Sequence, residues 1–448
     1  MHDHPDNPAR LTRRELLATT VTGALGAAAL GTTGLASTAA AQPLDLPTSS
    51  RELWQWVRVQ PVADAREAWM NTASVGPTLR LSMASEYRSR EIQSNELPNF
   101  ANSDRWGIES TRLAGRFAAF AGCTLDEIVF TRGTGEALSL VASGLDLAPG
   151  DEILTTTQEH PAALSPWLTL ARRRGIIVKQ VVLPASPASS SAIFDVIAAG
   201  FTDKTRVIAI SQVQYADGTV MPVRELCHLA RQRNVLSVVN GAQAFGMLSF
   251  QISDLACDFY AAGFHKWLAG SHGSGMLYIR REVLDRIWAS EPRGIDASPP
   301  IATPTRSLGN DGVPAALHKF GNVVPQLWPA LRGSEAALDF QSQVTRARIE
   351  ARIRELVLYT RMRLQQLPGI ELVTSGAPGL WAGILTFRMP GRVATGVVSA
   401  LAQINRVHIA AVEWPATNDA MRLSLGIFNT HDEIERMMQG LSHLPPLR

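Results

Sequence analysis

Between residues 108 and 279 the chain alternates short β-branched apolar runs with longer amphipathic segments whose apolar positions recur at helical spacing. The short runs predict seven strands, at Ile128 to Thr131, Glu152 to Thr155, Ile176 to Val182, Arg206 to Ser211, Val235 to Val239, Asp258 to Ala261 and Met276 to Arg280. The longer segments predict helices at Ile108 to Ala121, Glu136 to Gly144, Pro161 to Arg174 and Val223 to Arg233. Strands separated by helices favour parallel pairing, because each crossover carries the chain back to the end of the sheet where it began. The expected fold class is α/β, with a mainly parallel seven-stranded sheet covered on both faces.

The flanks follow other patterns. Arg51 to Met70 is a Trp-rich stretch that predicts a helix, and Asn71 to Pro77 is a loop with turn residues at its end. A Gly/Pro-rich region from Pro292 to Pro329 breaks the strand–helix rhythm. Beyond it, Gly333 to Leu367 predicts one long helix, followed by strand-like Ile384 to Arg388, Val407 to Val412 and Met421 to Leu425 and a final helix near Asp432 to Leu441. The expected organisation is an export signal at 1–41, an N-terminal segment at 42–75, a large domain at 76–325 and a smaller α+β C-terminal domain at 326–448.

The first segment has a recognisable order. Thr12-Arg13-Arg14-Glu15-Leu16-Leu17 precedes a mildly apolar stretch rich in Ala, Gly and Thr, and Ala39-Ala40-Ala41 supplies small residues before Gln42. This resembles a twin-arginine export signal, which implies a periplasmic or secreted protein that crosses the membrane already folded. No other run approaches the ~18 apolar residues needed to span a bilayer, so no stable membrane insertion is expected after signal removal.

Composition narrows the chemistry. With 448 residues and 46% hydrophobic content the chain can bury a large core. Its net charge of +2 carries no basic stripe interleaved with aromatics, which argues against a nucleic-acid partner. Cys123, Cys227 and Cys257 are far apart and lack metal-ligand spacing, so neither a metal site nor a disulfide framework is expected.

Two local patterns point to a site. The strand ending at Thr131 runs through Arg132-Gly133-Thr134-Gly135 into a helix, so free backbone N–H groups and the helix dipole converge there, and Thr134 and Gly135 are the candidate phosphate contacts. Lys266 follows a predicted strand among Phe264, Trp267 and Leu268, neighbours that would desolvate its amine and lower its pKa.

Val239-Asn240-Gly241-Ala242-Gln243-Ala244 followed by Gly263-Phe264-His265-Lys266-Trp267-Leu268 resembles the active-site core of fold-type I pyridoxal phosphate (PLP) enzymes of the class V aminotransferase group, which includes epimerases resembling isopenicillin N epimerase. The resemblance runs from Asn71 to Leu441. It implies a fold-type I PLP-dependent transferase in which Lys266 forms a Schiff base with the cofactor and then acts as a base at the substrate's α-carbon. It also implies that His265 is a cofactor contact, that His160 stacks on the PLP ring, that Gln243 meets the phenolic oxygen and that Arg422 holds a substrate carboxylate through two parallel hydrogen bonds. Ser211-Gln212-Val213 and Asp217-Gly218-Thr219 fall where the family borders the ring, and a homodimer is expected. The implied reaction is aminotransferase-type chemistry on an amino-acid-like or peptide-derived amine, with epimerase or lyase activity as alternatives. Export suggests tailoring of a secreted metabolite such as a siderophore. A desulfurase is disfavoured because no cysteine follows Cys257.

Departures from the family cluster around the cofactor. Asn240 stands where the family has an aspartate that keeps the pyridine nitrogen protonated; its amide could offer either an N–H or an oxygen to that nitrogen. Gly263 replaces a serine, and Asn322 replaces a threonine that reaches the phosphate from a neighbouring subunit, with Ser274 as a substitute hydroxyl. These changes leave open a catalytically lapsed binding protein. The dipeptide Asn240-Gly241 further raises the idea that deamidation restores an acid.

Overall fold

The structure, a computed structural model, describes residues 43–100, 103–289, 314–320, 324–412 and 419–444. Helix α1 (Ser50–Arg58) leads to the short strand β1 (Ala68–Trp69), helix α2 (Arg80–Asn95) and helix α3 (Ser103–Ala121). The main alternation follows: β2 (Ile128–Thr131), α4 (Thr134–Gly144), β3 (Glu152–Thr156), α5 (Pro161–Arg174), β4 (Ile177–Val181), α6 (Ser190–Ala198), β5 (Thr205–Ser211), α7 (Val223–Gln232), β6 (Leu236–Asn240), β7 (Phe259–Gly263) and β8 (Gly275–Ile279). Helices α8 (Val324–Val344) and α9 (Arg346–Leu364) lead to β9 (Glu371–Leu372), β10 (Ile384–Arg388), α10 (Ala394–Ala400), β11 (Val407–His408), β12 (Ala410–Ala411), β13 (Ala420–Ser424) and α11 (His431–Ser442).

The expected mainly parallel seven-stranded sheet is present. Seven strands form one sheet in the order β2-β8-β7-β6-β5-β3-β4, and β7, β6, β5, β3 and β4 pair in parallel. β8 runs antiparallel to both its neighbours, which leaves β2 pointing the same way as β7. Side chains alternate across the sheet, so each strand feeds two cores. Ile208, Ile210, Val239 and Tyr260 join one cluster, whereas Val207, Ala209, Val238 and Phe259 join the other. Burial on both faces is why these strands are continuous apolar runs in the sequence. A third cluster, built on Leu385, Phe387, Met421, Leu423 and Met437, covers the four-stranded sheet β12-β13-β10-β9.

Four expectations are corrected. The helix predicted over Arg51 to Met70 stops at Arg58, because Pro61 offers no N–H and disfavours helix in the residue before it; Ala68–Trp69 instead pairs with Val407–His408. The single helix predicted from Gly333 to Leu367 is two helices that meet at Thr345, whose φ of 73° is incompatible with a continuous helix. Val407 to Val412 divides between β11, paired with β1, and β12, paired with β13. Helices α2 and α6 were absent from the pattern. In α2 the buried positions are Ser82 and Ser89 rather than an apolar stripe, since α2 packs closely on α8 and a Cβ at Gly333 would lie 2.8 Å from the Ser82 carbonyl oxygen.

Candidate active site

The parallel strands β5, β6 and β7 end side by side. Ser211 pairs with Asn240, and Asn240 with Ala261. The carboxyl edge of a parallel sheet gathers loop residues from every strand, which makes it the usual ligand edge of such folds. β2 reaches the same edge and turns into α4, whose first N–H groups have no partner within the helix.

This turn suits an anion. The Thr134 hydroxyl is buried with no hydrogen-bond partner among the described residues, and Gly135 follows it at the helix start. A Cβ at Gly263 would lie 3.1 Å from Thr134 Oγ1, so the glycine that replaces the family serine leaves that hydroxyl room. Glu136 turns its carboxylate to the start of the turn, where it accepts from the Arg132 backbone N–H (2.5 Å) and guanidinium (2.9 Å). A phosphate is the group that an orphaned hydroxyl at a helix N-terminus fits. Ser274 is turned elsewhere: its hydroxyl is wholly buried and donates to the Ser271 carbonyl (2.6 Å), with Ser334 Oγ at 2.7 Å. Asn322 lies outside the described residues, as do residues 1–41 of the export signal.

Lys266 sits in the turn directly after β7. Burial, and secondarily the charge of Arg422, lowers its pKa to about 8. The segment is clamped from several sides. Gly76 N–H donates to the His265 carbonyl (2.8 Å), and a Cβ at Gly76 would lie 1.9 Å from the Lys266 carbonyl oxygen, so only glycine permits this approach. Gln341 Nε2 donates to the Trp267 carbonyl (2.7 Å). The His265 imidazole lies beside His272 (5.6 Å between centroids), and its pKa is lowered to about 4 by burial, then by Lys266 and His272. It is neutral at physiological pH.

His160 is the N-cap of α5. Its Nδ1 accepts the Ala162 N–H (3.1 Å), which puts the proton on Nε2 and fixes the ring plane. Tyr215 meets the ring edge-on at 4.9 Å and 83°. Burial first, then the charges of Lys266 and Arg422, lowers its pKa, so the imidazole is a neutral flat surface. Gln243 is held at both ends of its amide: Nε2 donates to the Ala73 carbonyl (2.9 Å) and Oε1 accepts from Trp267 Nε1 (2.8 Å). It joins the N-terminal loop to the lysine turn. Asn240 is buried at the end of β6, with Oδ1 accepting the Ala242 N–H and Nδ2 donating to Ser211 Oγ, each at 3.1 Å. The Gly241 nitrogen, which would have to attack the Asn240 side chain for deamidation, donates instead to the Ala261 carbonyl at 2.8 Å.

Arg422 projects from β13 and is 5% exposed. Its guanidinium donates to the Tyr215 carbonyl (2.9 Å), Asn71 Oδ1 (3.1 Å) and Ser74 Oγ (2.8 Å), and Nε is buried without a partner. No carboxylate among the described residues pairs with it, and burial lowers its pKa to about 10. A buried cation without a counter-ion is costly, and a substrate carboxylate would relieve that cost. Sequence reasoning missed Asn71, Ser74 and Tyr215 here, together with Glu159 beside His160. Asn71 and Ser74 stood in a loop with no motif of its own. Glu159, an acid at the end of the predicted strand–loop before α5, was the one visible signal.

Together these features bring a lysine of lowered pKa, an unpartnered hydroxyl at a helix start and a buried guanidinium into the described fold. The class V aminotransferase family matches residues 72–437, and the chain belongs to that PLP-dependent family. Isopenicillin N epimerase of Amycolatopsis lactamdurans is 30% identical over 414 residues, 87% of this chain and 98% of that protein. A probable cysteine desulfurase of Halalkalibacterium halodurans is 30% identical over 75% of this chain and 81% of its own. Among solved structures, a C-DES mutant with glycine covalently linked to its PLP cofactor superposes with a TM-score of 0.74 at 22% identity, covering 89% of this chain and 100% of that one.

Proposed function

We propose that this enzyme binds PLP on Lys266 and carries out aminotransferase-type chemistry on an amino-acid-like or peptide-derived amine that bears a carboxylate. The observation that carries this reading is the buried Arg422 guanidinium, without a carboxylate partner, whose charge is felt at Lys266. Thr134 and the open N–H groups of α4 would hold the phosphate, and His160 would cover one face of the ring. When bound, PLP supplies an electron-withdrawing ring conjugated to the carbon that carries the substrate amine. Lys266, with a pKa near 8, is partly unprotonated just above neutrality and can take and return a proton at that carbon. Arg422 fixes the substrate's orientation through its planar fork.

A second reading, epimerisation at the same carbon, is favoured by the full-length similarity to isopenicillin N epimerase. Cysteine desulfuration is not supported, because Cys227 and Cys257 are buried and burial raises all three thiols, Cys123 and Cys227 to about 12. We further infer twin-arginine export to the periplasm or beyond, resting on Arg13-Arg14 and the small residues before Gln42. Exposed Met83, Tyr87 and Ile108 favour a homodimer.

The test is spectroscopic and chemical. Purified protein should take up PLP with a visible absorption that Lys266→Ala abolishes. Formation of a 2-oxo acid from an amino donor then distinguishes transamination from deuterium-labelled inversion in heavy water. A colourless protein that does not retain PLP sinks the reading and leaves a lapsed binding protein.

A further inference from the structure

Glu159 is a buried carboxyl with no task in the proposed chemistry. Four donors converge on it: Ser211 N–H (2.9 Å), Gln214 Nε2 (3.2 Å) and Thr156 Oγ1 (3.4 Å) on Oε1, and Ser211 Oγ (2.5 Å) on Oε2. Burial pushes its pKa up, and these hydrogen bonds oppose that shift. A carboxylate accepting this many hydrogen bonds is the form the surroundings are built for.

The polarity of the chain leading away from it is determined. Asn240 Nδ2 can only donate, so Ser211 Oγ accepts from it and must send its own proton to Glu159. At the other end of the amide, Ala242 N–H can only donate, so the atom it meets is Oδ1. Flipping Asn240 would set Nδ2 against the Ala242 N–H and Oδ1 against a hydroxyl whose proton is already committed. The oxygen is thereby turned back into its own turn, and the amide keeps one N–H beyond the one it gives to Ser211.

We propose that Glu159, acting through Ser211, holds Asn240 so that it presents an N–H rather than an oxygen to the pyridine nitrogen of PLP, and that this enzyme works with an unprotonated ring. Glu159 is a positioning residue, and the proposal rests on the PLP reading above. A ring nitrogen that meets an N–H accepts from it; a protonated one would set two N–H groups against each other. An unprotonated ring withdraws electrons less strongly than the family's protonated one. The substitution at 240 is therefore built into a network and is not isolated drift.

The chain also predicts how it can be reversed. Glu159→Gln alone directs a second donor at Ser211 and leaves the serine proton without an acceptor. Asn240→Asp alone places two carboxylates on one hydroxyl. In the double variant the new amide donates to Ser211, whose proton turns to the new carboxylate, and an acceptor faces the ring. The experiment binds PLP labelled with 15N in the ring to the full chain and to the three variants. The wild type should show an unprotonated pyridine nitrogen between pH 6 and 9, and the double variant a pyridinium. Melting of the same proteins without added PLP should fall by several degrees in each single variant and recover in the double. A wild-type pyridinium signal, or single-variant losses that simply add in the double, overturns the proposal. Failure of PLP to attach to Lys266 instead overturns the functional reading, while the melting cycle still decides the hydrogen-bond chain.

Discussion

Replacing Lys266 with methionine should stabilise the cofactor-free protein, and the gain should disappear as pH rises. Lys266 places an amine in a largely desolvated site, where the charge of Arg422 further disfavours its protonated form. Its pKa falls from the ordinary 10.5 to about 8. That depression corresponds to roughly 3 kcal/mol of unfavourable free energy for the charged amine in the folded state. Because the folded pKa is the lower one, the unfolded chain binds this proton more tightly. Below pH 8 both states are protonated and the folded protein carries the whole penalty. Between pH 8 and 10.5 the folded state sheds its proton first and the penalty shrinks to nothing. Methionine has a similar unbranched stem and no charge to desolvate. Urea unfolding of both proteins, stripped of PLP, at pH 7, 8, 9 and 10 measures the difference. The methionine variant should lead by about 2–3 kcal/mol at pH 7 and converge with the parent near pH 10. Equal stability at pH 7, or a gap indifferent to pH, would refute the claim that Lys266 is held as a strained cation.

Three further outcomes follow from the same geometry. Thr134→Val removes a hydroxyl that has no protein partner, so it should leave the cofactor-free chain as stable as before while weakening PLP binding by about tenfold, measured by spectroscopic titration. Arg422→Lys keeps the charge but loses the fork that reaches Tyr215, Asn71 and Ser74; KM for a carboxylate-bearing amine should rise by roughly 10–100-fold, with amines lacking the carboxylate unaffected. Thr345→Gly relieves a β-branched residue at φ 73° between α8 and α9 and should stabilise the protein by about 1 kcal/mol in thermal unfolding; a loss of stability would show that the Thr345 side chain matters more than its backbone strain.

How much of this was legible beforehand depended on distance along the chain. Strands β2 to β8 and helices α4, α5 and α7 were readable because β-branched runs, Pro161 at a helix start and Gly175 at its end act within a few residues. The strand-to-helix turn at Thr134 and the turn carrying Lys266 were readable for the same reason. Helix α2 was hidden because its partner helix, not its own apolar periodicity, stabilises it. The break at Thr345 carried no glycine or proline to announce it.

By itself, then, the sequence determined the α/β alternation, the turns that carry Thr134 and Lys266 and the unusual amide at Asn240, all of which are local patterns. Only the tertiary structure decided what surrounds them. Arg422 meets Asn71 and Ser74 from the far end of the chain, Gln243 grips Ala73 and Trp267, and Asn240 is oriented by Ser211 and Glu159. The physical reason is that pKa and hydrogen-bond polarity are set by whichever groups burial brings together, and composition along the chain does not carry those distances.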